Sequence, residues 1–361
     1  MLYAKKSPAV PFIDITYIFN RDVFLEQGQQ SYVVSNTEER ISGHDYNFNV
    51  KNVLKSSIGE WIERYTLFKN SYKENERLLS FNLVNREVKK VNADKIFILD
   101  GPTFNDTCGV ASHLSSKRTI EAAFNEFFER QSLVYRWLTK TGGKRIDVTL
   151  LENKEINYLY NKAFNFIDKL HIIDISIHHS FSVILTVGIG KFYKAIGLSA
   201  NQNIVEATVN SLEELFQSFS DDWTKQYFES KDCFLGFSKN ESIKHDLYKD
   251  YYFNISPENF YKEYEFLLTD SSNVKSISNY RYTNKPFKDV IKTVSEDLNL
   301  EFYCCFIPNQ LEHLETKIVK VYSPDGYPHM FPTEFTEEET RLRFNHETSM
   351  FPNQYKQIPF P

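Results

Sequence analysis

Two short stretches of this chain place carboxylates and a guanidinium at the same intervals. One reads GEWIERYTLF from Gly59 to Phe68, the other NEFFERQSLV from Asn125 to Val134. Glu60 matches Glu126, Glu63 matches Glu129, Arg64 matches Arg130 and Leu67 matches Leu133, a constant offset of 66 residues. A third stretch, SLEELFQSF, sets Glu214 and Gln217 at the spacing of Glu60 and Glu63, with an amide replacing the second carboxylate. On a helix, residues i and i+3 share a face one turn apart. Carboxylates placed there repel each other unless a cation is present, and the bulky neighbours Trp61, Ile62, Phe127 and Phe128 set them beside a core. Mg²⁺ is a hard ion that takes oxygen ligands and bridges to phosphates. Arg64 and Arg130 have the fork geometry that grips carboxylate or phosphate oxygens. The alternative is an ordinary solvated helix face, where Glu60–Arg64 and Glu126–Arg130 are i,i+4 pairs worth about 0.2–0.5 kcal/mol each. Both readings stand on the spacing alone.

Two segments that combine glycine with small polar residues precede two of these helices. NDTCGVASH (Asn105 to His113) leads into the second, and AIGLSANQN (Ala195 to Asn203) into the third. Such loops bring backbone N–H groups to a phosphate. There is no GxxxxGK[ST] and no strand-borne GxGxxG, and Gly188 to Gly190 reads as a turn or bulge. Any nucleotide site here is therefore of an unusual kind. His178 and His179, adjacent in a strand pattern, are expected on opposite faces and make a poor metal pair. Cys108 lies within the first glycine segment, Cys304 and Cys305 read as core, and Cys233 carries no ligand spacing.

The elements that must carry these residues follow from periodicity. Helices are expected over Asn52 to Phe68, Ser116 to Trp137, Ile204 to Phe219 (with Asn203 as N-cap) and Phe287 to Leu298. Strands are expected at Ile172–Ile177, Phe181–Ile189, Phe192–Leu198, Leu300–Phe306 and Ile318–Tyr322, and an edge strand or arm at Ala9–Phe19. Short connections between strands imply antiparallel neighbours. The expected class is α+β, helices packed around mixed, largely antiparallel sheets, in a single domain over residues 1–361. Residues 1–50 form N-terminal strands or an arm, and 332–361 a proline-containing tail.

The 361 residues, 41% apolar and 16% aromatic, suffice for a sizeable core and exclude a disordered chain. Lys and Arg total 42 against 48 Asp and Glu, a formal charge of -6. That balance argues against a nucleic-acid footprint, which needs a basic face. No apolar run reaches the ~20 residues of a membrane helix. The four cysteines match neither a zinc ribbon nor a disulfide framework, so free thiols in a reducing cytoplasm are expected.

Taken in order, SSIGEWIERY, DTCGVASH with AAFNEFFERQSL, GLSA with EATVNSLEELFQSF, and a terminal PFP resemble the YcaO family of ATP-dependent peptide-modifying enzymes. The likeness runs from about residue 43 to the end. DTCG, ERQSL, YSPDGYPHM (Tyr322 to Met330) and PFP look most like the cyclodehydratase subunit of microcin B-type azole synthetases. Many family members carry Asp where this chain has Gln131, and Ser-Asn-Gly where it has Thr-Cys-Gly. The resemblance implies ATP and Mg²⁺ between Glu-bearing helices. Glu60, Glu63, Glu126 and Glu214 would be metal ligands, and Ser56, Arg64, Glu129, Arg130 and Gln217 would contact or support the nucleotide. It implies conversion of Cys and Ser/Thr of a ribosomally made precursor peptide to thiazolines and oxazolines, with the backbone amide oxygen phosphorylated on the way. Pro359 and Pro361 of the tail would lie at the reaction centre, the Pro361 carboxylate serving as a base. Partners of this subgroup are the precursor peptide, an E1-like leader-binding scaffold and an FMN-dependent azoline dehydrogenase in a heteromeric synthetase. A thioamide- or amidine-forming enzyme of the same family, or a non-catalytic precursor-binding subunit, are the alternatives.

Overall fold

The computed structural model describes residues 2–10, 13–21, 28–35, 41–73, 75–99, 104–230, 247–269, 285–309, 311, 314–336 and 351–361. Cys233 and residues 337–350 of the tail fall outside them. The chain divides into two compact units, Met1–Gln131 with Asn284–Met330 and Arg341–His346, and Ser132–Thr283 with Phe331–Thr340 and Glu347–Pro361.

In the first unit, β1 (Leu2–Val10), β2 (Ile13–Arg21), β3 (Gln29–Ser35) and β4 (Ser42–Asn47) form an antiparallel sheet in sequence order. The described residues of the stretch expected as an edge strand or arm over Ala9–Phe19 belong to the end of β1 and to β2, two strands paired antiparallel with Leu2 opposite Asn20. Helix α1 (Val50–Phe68) packs against β3 and β4. Asn49 starts it, its side chain accepting from the N–H groups of Lys51 and Asn52. Strand and helix approach so closely at Gly43 that a Cβ there would lie 2.2 Å from the Ser57 carbonyl oxygen. The Ser57 hydroxyl reinforces the contact by donating to the Ser31 carbonyl at 3.1 Å.

A second sheet of this unit runs β6 (Val88–Asn92), β5 (Arg77–Asn82), β12 (Tyr303–Ile307), β13 (Lys317–Tyr322), β7 (Val110–His113), antiparallel throughout. Val33, Trp61, Leu67, Phe97, Cys305 and Ile318 share one core between α1 and the strands. Helix α2 (Ser116–Thr139) belongs to this unit as far as Gln131. Its Phe124 stacks on Phe128 and meets Phe287 of α7 (Phe287–Leu298) edge-on.

The second unit is built on the antiparallel sheet β11 (Lys194–Asn201), β10 (Ser182–Ile189), β9 (Lys169–Asp174), β8 (Lys144–Arg145). Helix α3 (Lys154–Ala163) packs on α4 (Ile204–Ser230), and α4 covers β10 and β11. Helices α5 (Leu247–Asn254) and α6 (Pro257–Tyr264) follow. AIGLSA is therefore strand β11, not the expected phosphate loop. Gly197 serves the strand–helix contact, since a Cβ would lie 1.9 Å from the Ser211 carbonyl oxygen. Asn203 caps α4 as expected, accepting from Val205 N at 2.9 Å. His178 and His179 sit between β9 and β10, not within a strand. Their rings approach to 4.3 Å instead of facing apart. Among the described residues, every strand pairing is antiparallel, as the α+β class requires, and no helix is long and apolar enough to cross a membrane.

Candidate active site

Glu60 and Arg64 of the first carboxylate motif reach β4 from α1. Glu60 Oε2 accepts from the His44 backbone N–H at 2.6 Å, and the His44 ring nitrogen Nδ1 stands 3.4 Å away. Arg64 closes an ion pair with Glu60 one turn on, and its other guanidinium nitrogen donates to the Ser42 carbonyl at 3.0 Å. Ser56 favours the charged form of Asp45, a residue to which the motif spacing gave no role. Burial pushes Asp45 up to about 7, and the nearby Glu60 carboxylate adds to that.

Glu63 lies in the field of Ser112 on β7, whose hydroxyl donates to the Gly59 carbonyl at 3.2 Å. Desolvation raises its carboxyl to about 7, with Glu60 contributing repulsion and Ser112 opposing. Glu126 of α2 is pushed well above the usual carboxylate range, again chiefly by burial. Arg130 and Lys320 pull it back, while Glu63 and Asp106 push it up. The fold therefore brings Glu63 of the first motif and Glu126 of the second within electrostatic reach of each other. Two carboxyls in a desolvated setting disfavour joint ionisation unless a cation compensates them.

The second half of the Asn105–His113 segment is strand β7, which ends shortly before α2 begins. Three of the segment's N–H groups are spent internally: Asp106 N donates to Asn105 Oδ1, Cys108 N to Asp106 Oδ1 at 2.8 Å, and Val110 N to the Thr107 carbonyl. Gly109 is required on two counts, a φ of +72° and an approach that would put a Cβ 2.2 Å from the Val321 carbonyl oxygen. Cys108 is buried, and desolvation with the neighbouring Asp106 and Glu126 holds its thiol well above the ordinary value, which keeps it a poor nucleophile. Cys304 and Cys305, as expected core residues, are pushed up to about 12.

Arg130 Nη1 lies 2.8 Å from Met330 Sδ, and the side chain of Glu129 is partly exposed. Gln131 is buried and clasps one residue with both ends of its amide. Nε2 donates to the Tyr327 carbonyl at 2.8 Å and Oε1 accepts from Tyr327 N at 2.6 Å. The YSPDGYPHM stretch is thereby fastened to α2. In the second unit, Glu214 Oε2 accepts from Leu198 N at 3.0 Å and Gln217 is partly exposed one turn later. The C-terminal residues are held by α6 and the end of α2: Tyr264 Oη donates to the Pro359 carbonyl at 2.9 Å, and Trp137 Nε1 to that of Lys356 at 2.8 Å. Pro359 is buried and Pro361 partly exposed.

A family model described as YcaO cyclodehydratase, ATP- and Mg²⁺-binding, matches residues 60–325. The chain belongs to the YcaO family. Among solved structures, a chain of the E. coli microcin synthetase McbBCD complex with pro-MccB17 bound superposes with a TM-score of 0.75 at 18% identity. That match covers 99% of this chain and 100% of the other. YcaO from Methanopyrus kandleri, bound with AMPPCP and Mg²⁺, gives 0.65 at 13% identity over 85% of this chain and 84% of its own. A heterocyclase in complex with substrate and cofactor gives 0.66 at 15% identity, covering 100% of this chain and 54% of that one. These identities establish a shared fold. No curated protein sequence matches.

Of the residues singled out in the sequence, Glu60, Glu63, Arg64, Glu126, Glu129, Arg130, Glu214 and Gln217 lie within the YcaO-matched span, and Ser56, Pro359 and Pro361 outside it. The donor set of Glu63 and Glu126 suits Mg²⁺: hard oxygens from two helices, desolvated and mutually repelling. Spacing alone did not reveal Asp45, Asn105, Asp106 and Lys320. The signal available for Lys320 is a lysine on the same strand face as the core residue Ile318.

Proposed function

We propose that this chain is the ATP-dependent cyclodehydratase subunit of a synthetase that forms azolines in a ribosomally made precursor peptide. The observation that carries the reading is the convergence of Glu63 and Glu126 from the two repeated motifs, inside the span matched by the YcaO model. The AMPPCP and Mg²⁺ bound to the M. kandleri protein, and the pro-MccB17 bound to the microcin synthetase, support it by analogy.

In such a reaction a Cys thiol or Ser/Thr hydroxyl adds to the preceding backbone carbonyl. The former amide oxygen takes the γ-phosphoryl group of ATP, and phosphate leaves as the thiazoline or oxazoline closes. The protein's contribution is alignment and charge compensation. Mg²⁺, when bound, neutralises phosphate charge. Glu60, Glu63, Glu126 and Glu214 are the proposed ligands. Arg64, Arg130, Ser56, Glu129 and Gln217 are proposed to support or contact the nucleotide. The Pro361 carboxylate is proposed to accept a proton, with Pro359 limiting the freedom of the chain before it. An E1-like leader-binding scaffold and an FMN-dependent dehydrogenase are the proposed partners.

The test is calorimetric titration of Mg²⁺-ATP into the purified chain and into Glu126→Gln, with the pathway's neighbouring proteins co-expressed in a second series. Saturable, magnesium-dependent binding lost in the folded variant is expected. Absence of binding in both series would overturn the reading. The product mass then separates chemistries: each ring removes one water, whereas a thioamide exchanges oxygen for sulfur.

A further inference from the structure

Strand β13 carries a lysine where its pattern calls for an apolar side chain. Ile318, Val319 and Val321 are core residues, and Lys320 between them is only 2% exposed. Burying an ammonium group is expensive unless hydrogen bonds and opposite charge compensate it. Lys320 Nζ donates to Asn105 Oδ1 and to the Asp106 carbonyl, both at 2.8 Å. Both acceptors are neutral, so these bonds fix the ammonium without cancelling its charge. Burial pulls Lys320 below the ordinary lysine value, and the Asp106 carboxyl, the Cys108 thiol, Glu126 and the Cys305 thiol in its field act the other way, toward the charged form.

The same strand grips the segment before β7 a second time, since Val321 N donates to the Gly109 carbonyl at 2.7 Å. Asp106 passes the linkage on. Its Oδ2 accepts from Met330 N at 3.0 Å, and Met330 Sδ faces Arg130 Nη1. A continuous chain of contacts therefore runs from Lys320 through Asp106 and Met330 to the arginine of the second carboxylate motif. The ammonium itself is within electrostatic reach of that motif's glutamate.

We propose that Lys320 is a positioning residue of the magnesium–nucleotide site, clamping the Asn105–Gly109 segment and supplying a fixed positive charge beside Glu126. The inference rests on the functional reading above and adds a residue to it. A fixed cation repels Mg²⁺ and attracts the polyphosphate, so its removal has opposite effects on the two ligands. A purely structural lesion weakens both.

The experiment compares wild type with Lys320→Met and Lys320→Gln. ATP is titrated at saturating Mg²⁺, and Mg²⁺ at fixed ATP. The neutral variants are expected to need about tenfold more ATP for half-saturation, a shift of about 1.4 kcal/mol, while needing no more Mg²⁺ than wild type, or less. Lys320→Arg, which keeps the charge, is expected to restore ATP binding. If Lys320→Met does not fold, Lys320→Gln carries the comparison, because it keeps a donor for Asn105 and the Asp106 carbonyl. Parallel weakening toward both ligands, or no change toward either, would overturn the role of Lys320. Failure of wild type to bind Mg²⁺-ATP would instead overturn the functional reading on which it stands.

Discussion

Gln131 illustrates how one atom decides a residue's identity. Its amide meets a backbone N–H and a backbone carbonyl of the same residue, Tyr327, in a buried setting. A carboxylate keeps the acceptor but turns an oxygen toward the carbonyl, so neither Glu nor the Asp common in the family fits this clasp. Gln131→Glu is expected to cost about 1–3 kcal/mol, the penalty for a buried polar group left without its partner. Urea unfolding measures it; an unchanged midpoint would show that the clasp does not contribute. The departure at position 131 was visible in the sequence. Its reason was not, because Tyr327 lies far along the chain and only the fold brings its backbone to α2. The same holds for Lys320. Periodicity marks it as misplaced in a strand, but its partners Asn105 and Asp106 are long-range. The placement of Glu60 and Glu126 on helices was, by contrast, legible, because i,i+3 and i,i+4 spacing is local information.

At the scale of elements, the helices that carry the motifs were readable from their apolar stripes. The expected Phe287–Leu298 helix coincides with α7, and α2 begins at Ser116 as expected. The AIGLSANQN segment misled, since a glycine before a helix fits an anion-binding loop and a close strand–helix contact equally well. Gly197 is the latter, and only the Ser211 backbone beside it decides the matter. The last residues posed the opposite problem, because prolines without periodicity give no element at all. The structure supplies anchors instead, in Trp137, Tyr264 and the ion pair of Lys356 with Glu263. Tyr264 is fully buried, and its hydroxyl pairs the otherwise buried Pro359 carbonyl. Tyr264→Phe removes that hydroxyl at constant shape. Faster amide exchange over residues 351–361 is expected, with a loss of about 1–3 kcal/mol in stability. Exchange as slow as in wild type would mean that Trp137, the Lys356–Glu263 pair and the packing of Ile358 and Phe360 hold the segment without that hydroxyl.

For the whole molecule, the carboxyl cluster links stability to pH and to metal. Glu63 moves from an ordinary 4.5 to about 7 and Asp45 from 3.8 to about 7, both mainly by burial. Glu126 is raised in the same direction. Between the unfolded and folded values the native chain holds more protons than the unfolded one, so stability falls as pH rises through that window. The full cost is present above about pH 7, and below the unfolded values these groups contribute no pH dependence. Removing a carboxylate should therefore stabilise the chain where the cost is greatest. Glu63→Gln is expected to raise the thermal midpoint at about pH 8 and to change it little at about pH 4. Mg²⁺ should act in the same direction by a different route. It binds the ionised carboxyls, so its stabilising effect grows as pH rises, and it should be smaller in Glu63→Gln and Glu126→Gln than in wild type. Thermal melts across that range, with and without Mg²⁺, check both statements. Melting midpoints that ignore Mg²⁺ at about pH 8, or that shift equally in wild type and both glutamine variants, would separate the carboxyl cluster from metal binding.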